Sequence, residues 1–317
     1  MKDSMTSSQR PTESNAQDAA ATFLGHERFT LTRYPTGLCH YVFEVIPDSG
    51  PKVVVRMGHE DTRKNLEGSV FWDMELMPLK LPTARILHHD LAAEFPYTIL
   101  EHIQGADLGQ VYSSLAPSVR RQIAHSLAEI QSRVAELPRA RGFGYGFSFS
   151  DHRLRGSWRV ILDEQLDRAR LWIRSVGVAS ESHVERVSRE LTKIHGYLDD
   201  VEPTPFLHDT TTKNVLVNEG GLAGIVDIDD LCFGDPLYVL SLTHMALLSS
   251  RSTTDYIDFW INAWELTSLQ RTVMRIYTAI HCVGFIGAVG QRFNKDVAEI
   301  DHAQLRYLEG ILDSLLT

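Results

Sequence analysis

The sequence predicts an α+β chain in two parts: a small antiparallel β-sheet with one helix, then a larger, mainly helical region that contains a β-hairpin. Three observations predict this. Residues 29–56 hold short strand-like apolar runs separated by turn residues. Beyond Gly105 the apolar residues recur three and four apart, the helical period. Inside that helical stretch, two short strand-like runs at 215–217 and 224–226 flank a turn.

Residues 1–20 are rich in Ser, Thr, Gln and Asn and lack an apolar run, so they read as a disordered tail. Phe29-Thr30-Leu31 opens the first strand, residues 40–45 form the second and residues 52–56 the third. The breaks Pro35-Thr36-Gly37 and Pro47-Asp48-Ser49-Gly50-Pro51 are turn chemistry, which makes the three an antiparallel meander. Asn65 to Met77 reads as a helix stopped by Pro78. Residues 82–87 and 97–102 supply two more extended segments, and His88-His89 reads as a loop pair. The parts divide near 102–105, giving an N-terminal region 21–104 and a C-terminal region 105–317.

In the second part Val119, Ile123, Leu127, Ile130, Val134 and Leu137 form one helical stripe. Residues 158–176 and 184–198 give two more helices, and the Gly- and Phe-rich stretch 142–149 before them reads as a loop. From Leu237 onward four helical segments follow, with Trp260, Trp264, Ile276, Ile280, Phe285 and Leu312 as expected core.

A formal charge of -10 without a Lys/Arg block argues against a nucleic-acid partner. No apolar run of bilayer length occurs, so no membrane partner is expected. Cys39, Cys232 and Cys282 lie far apart, which indicates neither a disulfide framework nor a zinc site and suits a reducing, cytoplasmic setting.

The chemistry-bearing stretch is His208-Asp209-Thr210-Thr211-Thr212-Lys213-Asn214, then Ile225-Val226-Asp227, then Gly234-Asp235-Pro236. An aspartate, an amide five residues on and a second aspartate after an apolar strand are what phosphoryl transfer needs: one carboxylate for the attacking hydroxyl and two oxygen donors for a hard cation. Asp229 and Asp230 stand near enough to compete with Asp227 for the metal, and fall more naturally to supporting or surface roles.

In spacing and identity this compound motif resembles the catalytic core of the aminoglycoside phosphotransferase family, small-molecule kinases of the protein-kinase-like fold. The resemblance implies a bilobal α+β fold with a nucleotide-binding N-terminal lobe and a catalytic, substrate-binding C-terminal lobe. It implies ATP, with GTP as an alternative, and Mg²⁺. It makes Asp209 the catalytic aspartate, Asn214 and Asp227 the metal ligands, and Gly234, Asp235 and Pro236 a structural brace. In the N-terminal part it assigns Arg56 and Glu67 as a phosphate-contacting pair, Gly37 to a loop over the phosphates, and the backbone of Glu101 and Ile103 to adenine. Two departures stand out. Leu207-His208-Asp209 replaces the family's His-Gly-Asp, leaving His208 as a packing residue, and Val239 stands where the family has an aspartate.

The activity implied is phosphoryl transfer to an alcohol group of a small molecule, with aminoglycosides and other antibiotics among the candidates, by a monomer or homodimer. Asp255, Asp258 and Glu265 on the C-terminal helices are candidates to meet a cationic acceptor. Two alternatives stay open: a kinase-like protein that holds nucleotide without turnover, and a metal-dependent hydrolase using Asp227, Asp229, Asp230 and Asp235.

Overall fold

The computed structural model describes residues 10–34, 40–291 and 300–317. The chain divides into two compact units, Met1–Gln104 and Gly105–Thr317.

The first unit contains α1 (Glu13–Leu24), β1 (Phe29–Arg33), β2 (Tyr41–Pro47), β3 (Val53–Met57), α2 (Arg63–Leu76), β4 (Ile86–Asp90) and β5 (Tyr97–Glu101). The strands form one antiparallel sheet in the order β1-β2-β3-β5-β4. Alternation places Phe43, Val45, Val53, Val55 and Ile99 in the core of this unit. On α2 the buried stripe is Leu66, Ser69, Trp72 and Leu76, at helical spacing.

Two local expectations fail here. Residues 13–20, read as part of a disordered tail, begin α1, whose Ala16, Ala19 and Ala20 pack into the same core as β2 and β3. Composition hid a helix with both ends capped. Asn15 accepts from the Thr12 N–H at 2.8 Å, the Thr12 hydroxyl accepts from the Asn15 N–H at 3.4 Å, and Gly25 closes the helix at φ 74°. His88 and His89 lie on β4, paired with β5, rather than in a loop.

The second unit runs β6 (Ala106–Asp107), α3 (Leu108–Val111), α4 (Pro117–Val134), β7 (Gly144–Gly146), α5 (Trp158–Val176), α6 (Ser182–Thr192), α7 (His195–Asp199), β8 (Thr204–Phe206), β9 (Val215–Asn218), β10 (Gly221–Ile225) and β11 (Leu231–Gly234), then α8 (Leu237–Ser249), α9 (Asp255–Ala263), α10 (Ser268–Ala288) and α11 (His302–Leu315). Helix α10 packs against α5, α8 and α11, while α4 packs against α9. Aromatic rings fill the centre: Trp158 meets Tyr238 edge to face at 5.3 Å, and Tyr238 meets Tyr277 at 5.6 Å. Trp260, Ile276, Ile280 and Leu312 are buried, whereas Trp264 and Phe285 are half-buried.

Two three-stranded sheets, β10-β9-β6 and β7-β11-β8, carry the functional segment. The β9–β10 hairpin turns through Glu219 and Gly220, both at positive φ (49° and 76°), as a two-residue turn of this hand requires. The expected loop at 142–149 contains β7, held by its pairing with β11. With three residues and two glycines, β7 has too little side-chain pattern to announce a strand. The helix expected over 184–198 is broken into α6 and α7.

Candidate active site

The site residues of the second unit lie on the loop from β8 to β9 and on the segment from β10 to β11. Asp209 and Asn214 bracket the first of these. The Asn214 side-chain amide donates to the Asp209 carbonyl at 2.9 Å, and the Asn214 N–H donates to the Thr211 carbonyl at 3.0 Å. This ties the loop into one turn. Asn214 is buried, so its amide orientation is fixed by that bond and its side-chain oxygen is left as a donor atom. The Val226 N–H donates to the Asn214 carbonyl at 3.0 Å, which sets Asp227 beside the end of the loop.

Asp209 itself is half-buried and held at both oxygens. The Thr211 hydroxyl donates to Oδ1 at 2.9 Å, and the Lys213 ammonium stands 3.7 Å from Oδ2. Asp227 is exposed and adopts φ 66°, a left-handed backbone that few residues other than Gly, Asn and Asp tolerate. A shallow concavity is lined by Leu207 to Thr210, Ile225 to Ile228 and Asp230, so Asp209 and Asp227 border one depression.

His208 packs edge-on to Tyr145 with ring centroids 4.9 Å apart, and its Nδ1 lies 3.3 Å from Asp230 Oδ1. Burial pushes the Asp230 carboxyl up, and His208 opposes that rise. Among the described residues no group of three or more His, Cys, Asp or Glu side chains is arranged to hold a metal.

Gly234, Asp235 and Pro236 lead from β11 into α8. Asp235 is buried and accepts from the Tyr197 and Tyr277 hydroxyls at 2.9 and 3.0 Å through Oδ2, and from the Leu237 N–H at 3.0 Å through Oδ1. Burial raises its carboxyl above the usual range and the three hydrogen bonds pull it back. These contacts commit Asp235 to the scaffold, which removes it from the four-aspartate metal set of the hydrolase alternative. A side chain at Gly234 would run into the Trp158 ring.

The acidic residues expected to meet a cationic acceptor divide. Asp255 is taken by Arg120, at 2.8 Å, and by the hydroxyls of Thr253 and Tyr112 at 2.8 and 3.3 Å, so it is a structural ion and not a free acid. Asp258 and Glu265 are exposed at the first turn and just beyond the last turn of α9. One residue missed by the sequence reading is Gln131, a polar side chain in the buried stripe of α4 that hydrogen-bonds the lead-in to Asp209.

In the first unit Arg56 is buried on β3. Glu67 is exposed on α2, off the 66/69/72/76 stripe. Glu101 ends β5, where its N–H donates to the Arg85 carbonyl at 2.9 Å, and half-buried Ile103 follows it. Gly37 lies outside the described residues.

Comparison with known proteins adds an independent finding. The model of a family described as the phosphotransferase enzyme family matches residues 30–277. Curated proteins give no match. Among solved structures, an apo thermostable mutant of aminoglycoside phosphotransferase APH(4)-Ia is 16% identical, with a TM-score of 0.69 over 95% of this chain and 98% of its own. The APH(2")-IIa complex with gentamicin is 13% identical, at a TM-score of 0.66 over 96% and 97%. ADP-bound APH(2'')-Ib is 12% identical, at 0.65 over 96% and 98%. These likenesses show the fold, the protein-kinase-like architecture of aminoglycoside phosphotransferases.

Proposed function

Because the chain belongs to the phosphotransferase enzyme family, we propose that it is an ATP-dependent kinase of a small molecule, transferring the γ-phosphate to a hydroxyl with Asp209 as the catalytic carboxylate. The observation that carries the proposal is the Asn214 amide donating to the Asp209 carbonyl at 2.9 Å, which locks a carboxylate and an amide oxygen into one loop. Asp227 joins them through the Val226–Asn214 hydrogen bond.

Mg²⁺ would be held by the Asn214 side-chain oxygen and the Asp227 carboxylate. The donor set fits: both are hard oxygens, and two protein groups suffice for an ion that keeps waters and phosphate oxygens. When bound, the ion neutralises charge on the transferred phosphoryl group. The chain's own residues do the rest. Thr211 and Lys213 hold the Asp209 carboxylate, which orients the acceptor hydroxyl and takes its proton. The unusual backbone of Asp227 supports a functional reading, since residues in rarely populated conformations cluster at active sites.

For the nucleotide, Arg56 and the backbone of Glu101 and Ile103 are the proposed contacts, with GTP as an alternative to ATP. For the acceptor, the structural relatives offer a class: APH(4)-Ia has been crystallised with AMP-PNP and hygromycin B, and APH(2")-IIa with gentamicin. A formal charge of -10 suits a cationic, polyhydroxylated acceptor of that class.

The test is ADP release from MgATP across aminoglycosides, macrolides and amino alcohols, with D209N as the control. Turnover with at least one acceptor, lost in D209N, is the expected result. Tight ATP binding with no ADP release from any acceptor would replace this reading with a nucleotide-binding one.

A further inference from the structure

Gln131 is 2% exposed and sits in the apolar stripe of α4 between Ile130 and Val134. A polar amide buried there is costly unless every group on it is used. All its partners lie on the loop that carries Asp209. Its Oε1 accepts the Leu207 N–H at 3.0 Å, its Nε2 donates to the Leu207 carbonyl at 2.8 Å, and Nε2 also donates to the Thr210 hydroxyl at 3.1 Å.

One amide therefore grips the chain two residues before Asp209 and one residue after it. The paired donor and acceptor on Leu207 copy a β-ladder contact, so Gln131 extends the order of β8 past Phe206, where the strand ends. The segment it holds is Leu207-His208, the lead-in that departs from the family's His-Gly-Asp.

We infer that Gln131 is a positioning residue for phosphoryl transfer, fixing Asp209 against the acceptor by clamping Leu207 and Thr210. This rests on the reading of Asp209 as the catalytic carboxylate. Gln131 touches no reacting group, so its effect falls on kcat and leaves the apparent KM for ATP unmoved. Displacement of a catalytic group by about 1 Å costs on the order of a hundredfold in rate, so losing the clamp lowers kcat about ten- to a hundredfold.

The test compares Q131L, Q131E and D209N with the full-length wild type, following ADP release from MgATP with hygromycin B, gentamicin or water as acceptor. Q131L keeps the volume and removes all three hydrogen bonds; Q131E keeps the side-chain oxygen that accepts the Leu207 N–H. The expected order of kcat is wild type, then Q131E, then Q131L, at constant KM for ATP, with faster amide exchange at residues 207–211 in Q131L. If Q131L does not fold, T210V, which removes the Thr210 half of the clamp and keeps the two bonds to Leu207, is read in its place with a smaller expected fall in kcat. Wild-type kcat in folded Q131L or T210V, with D209N inactive, overturns the positioning role and leaves the Asp209 reading intact. Full turnover in D209N, or none in the wild type, overturns both.

Discussion

Arg120 on α4 and Asp255 at the head of α9 form a two-toothed pair, with Nε and Nη2 of the arginine 3.0 and 2.8 Å from Asp255 Oδ2. The same arginine donates through Nη1 to the Leu115 carbonyl at 2.8 Å. Burial alone would raise the Asp255 carboxyl, but the hydrogen bonds from Thr253 and Arg120 and the arginine's charge bring it below the usual range. An acidic residue at a helix start reads from sequence as a solvated charge or a substrate contact; here it fastens two helices.

R120A and D255N are each expected to lower the free energy of unfolding by about 2 kcal/mol, the scale of charged hydrogen bonds lost in a partly buried place. Urea denaturation reads this directly. An effect confined to the KM of a cationic acceptor, with unchanged urea midpoint, would return Asp255 to the substrate.

For the proposed metal pair, N214A is expected to raise the Mg²⁺ concentration for half-maximal turnover by at least about tenfold, and D227A to abolish turnover. A Mg²⁺ titration of ADP release measures both. Unaltered Mg²⁺ dependence in both variants would reassign the ligands.

Gly234 is a packing requirement. G234A forces a methyl group into the Trp158 ring, whose indole N–H donates to the Tyr277 hydroxyl at 2.9 Å. Overpacking of this kind costs about 1–3 kcal/mol. The loss appears as a lower urea midpoint, and a midpoint equal to wild type would show that the ring gives way freely.

Asp151 carries a pH signature. Burial would raise its carboxyl, but Arg153, through side chain and backbone, and the Phe147 N–H hold it down at about 2 against an ordinary value of 3.8. Because the group is depressed in the folded state, its contribution is complete above about pH 4 and is lost as pH falls toward 2. By linkage it amounts to about 2 kcal/mol. Stability measured from pH 7 to pH 2 should fall less steeply in D151N at the acid end, and parallel curves would refute the assignment.

What was legible in the sequence follows the strength of local pattern. The five-stranded sheet was readable because β2 and β3 are rich in β-branched residues and bounded by Pro and Gly. Helix α1 was not, because its buried face is three alanines, which carry little apolar signal. Strands β7, β8 and β11 are three or four residues long and find their partners far along the chain, so no local window contains their evidence. Asp209, Asn214 and Asp227 stood out by spacing. Gln131 did not, because a single amide in a helical stripe looks like a surface interruption until its partners 76 and 79 residues away are known.

The β9–β10 hairpin has a further consequence. Asn214 and Asp227 are brought together at its open end by the Val226–Asn214 bond, while its tip at Glu219 and Gly220 points to the other end of the ladder. The ladder acts as a spacer that isolates the paired ends from whatever happens at the tip. Foreign peptide grafted between Glu219 and Gly220 would thus leave the distance between the two oxygen donors unchanged, which makes the tip a natural place to attach a reporter dye or an affinity handle.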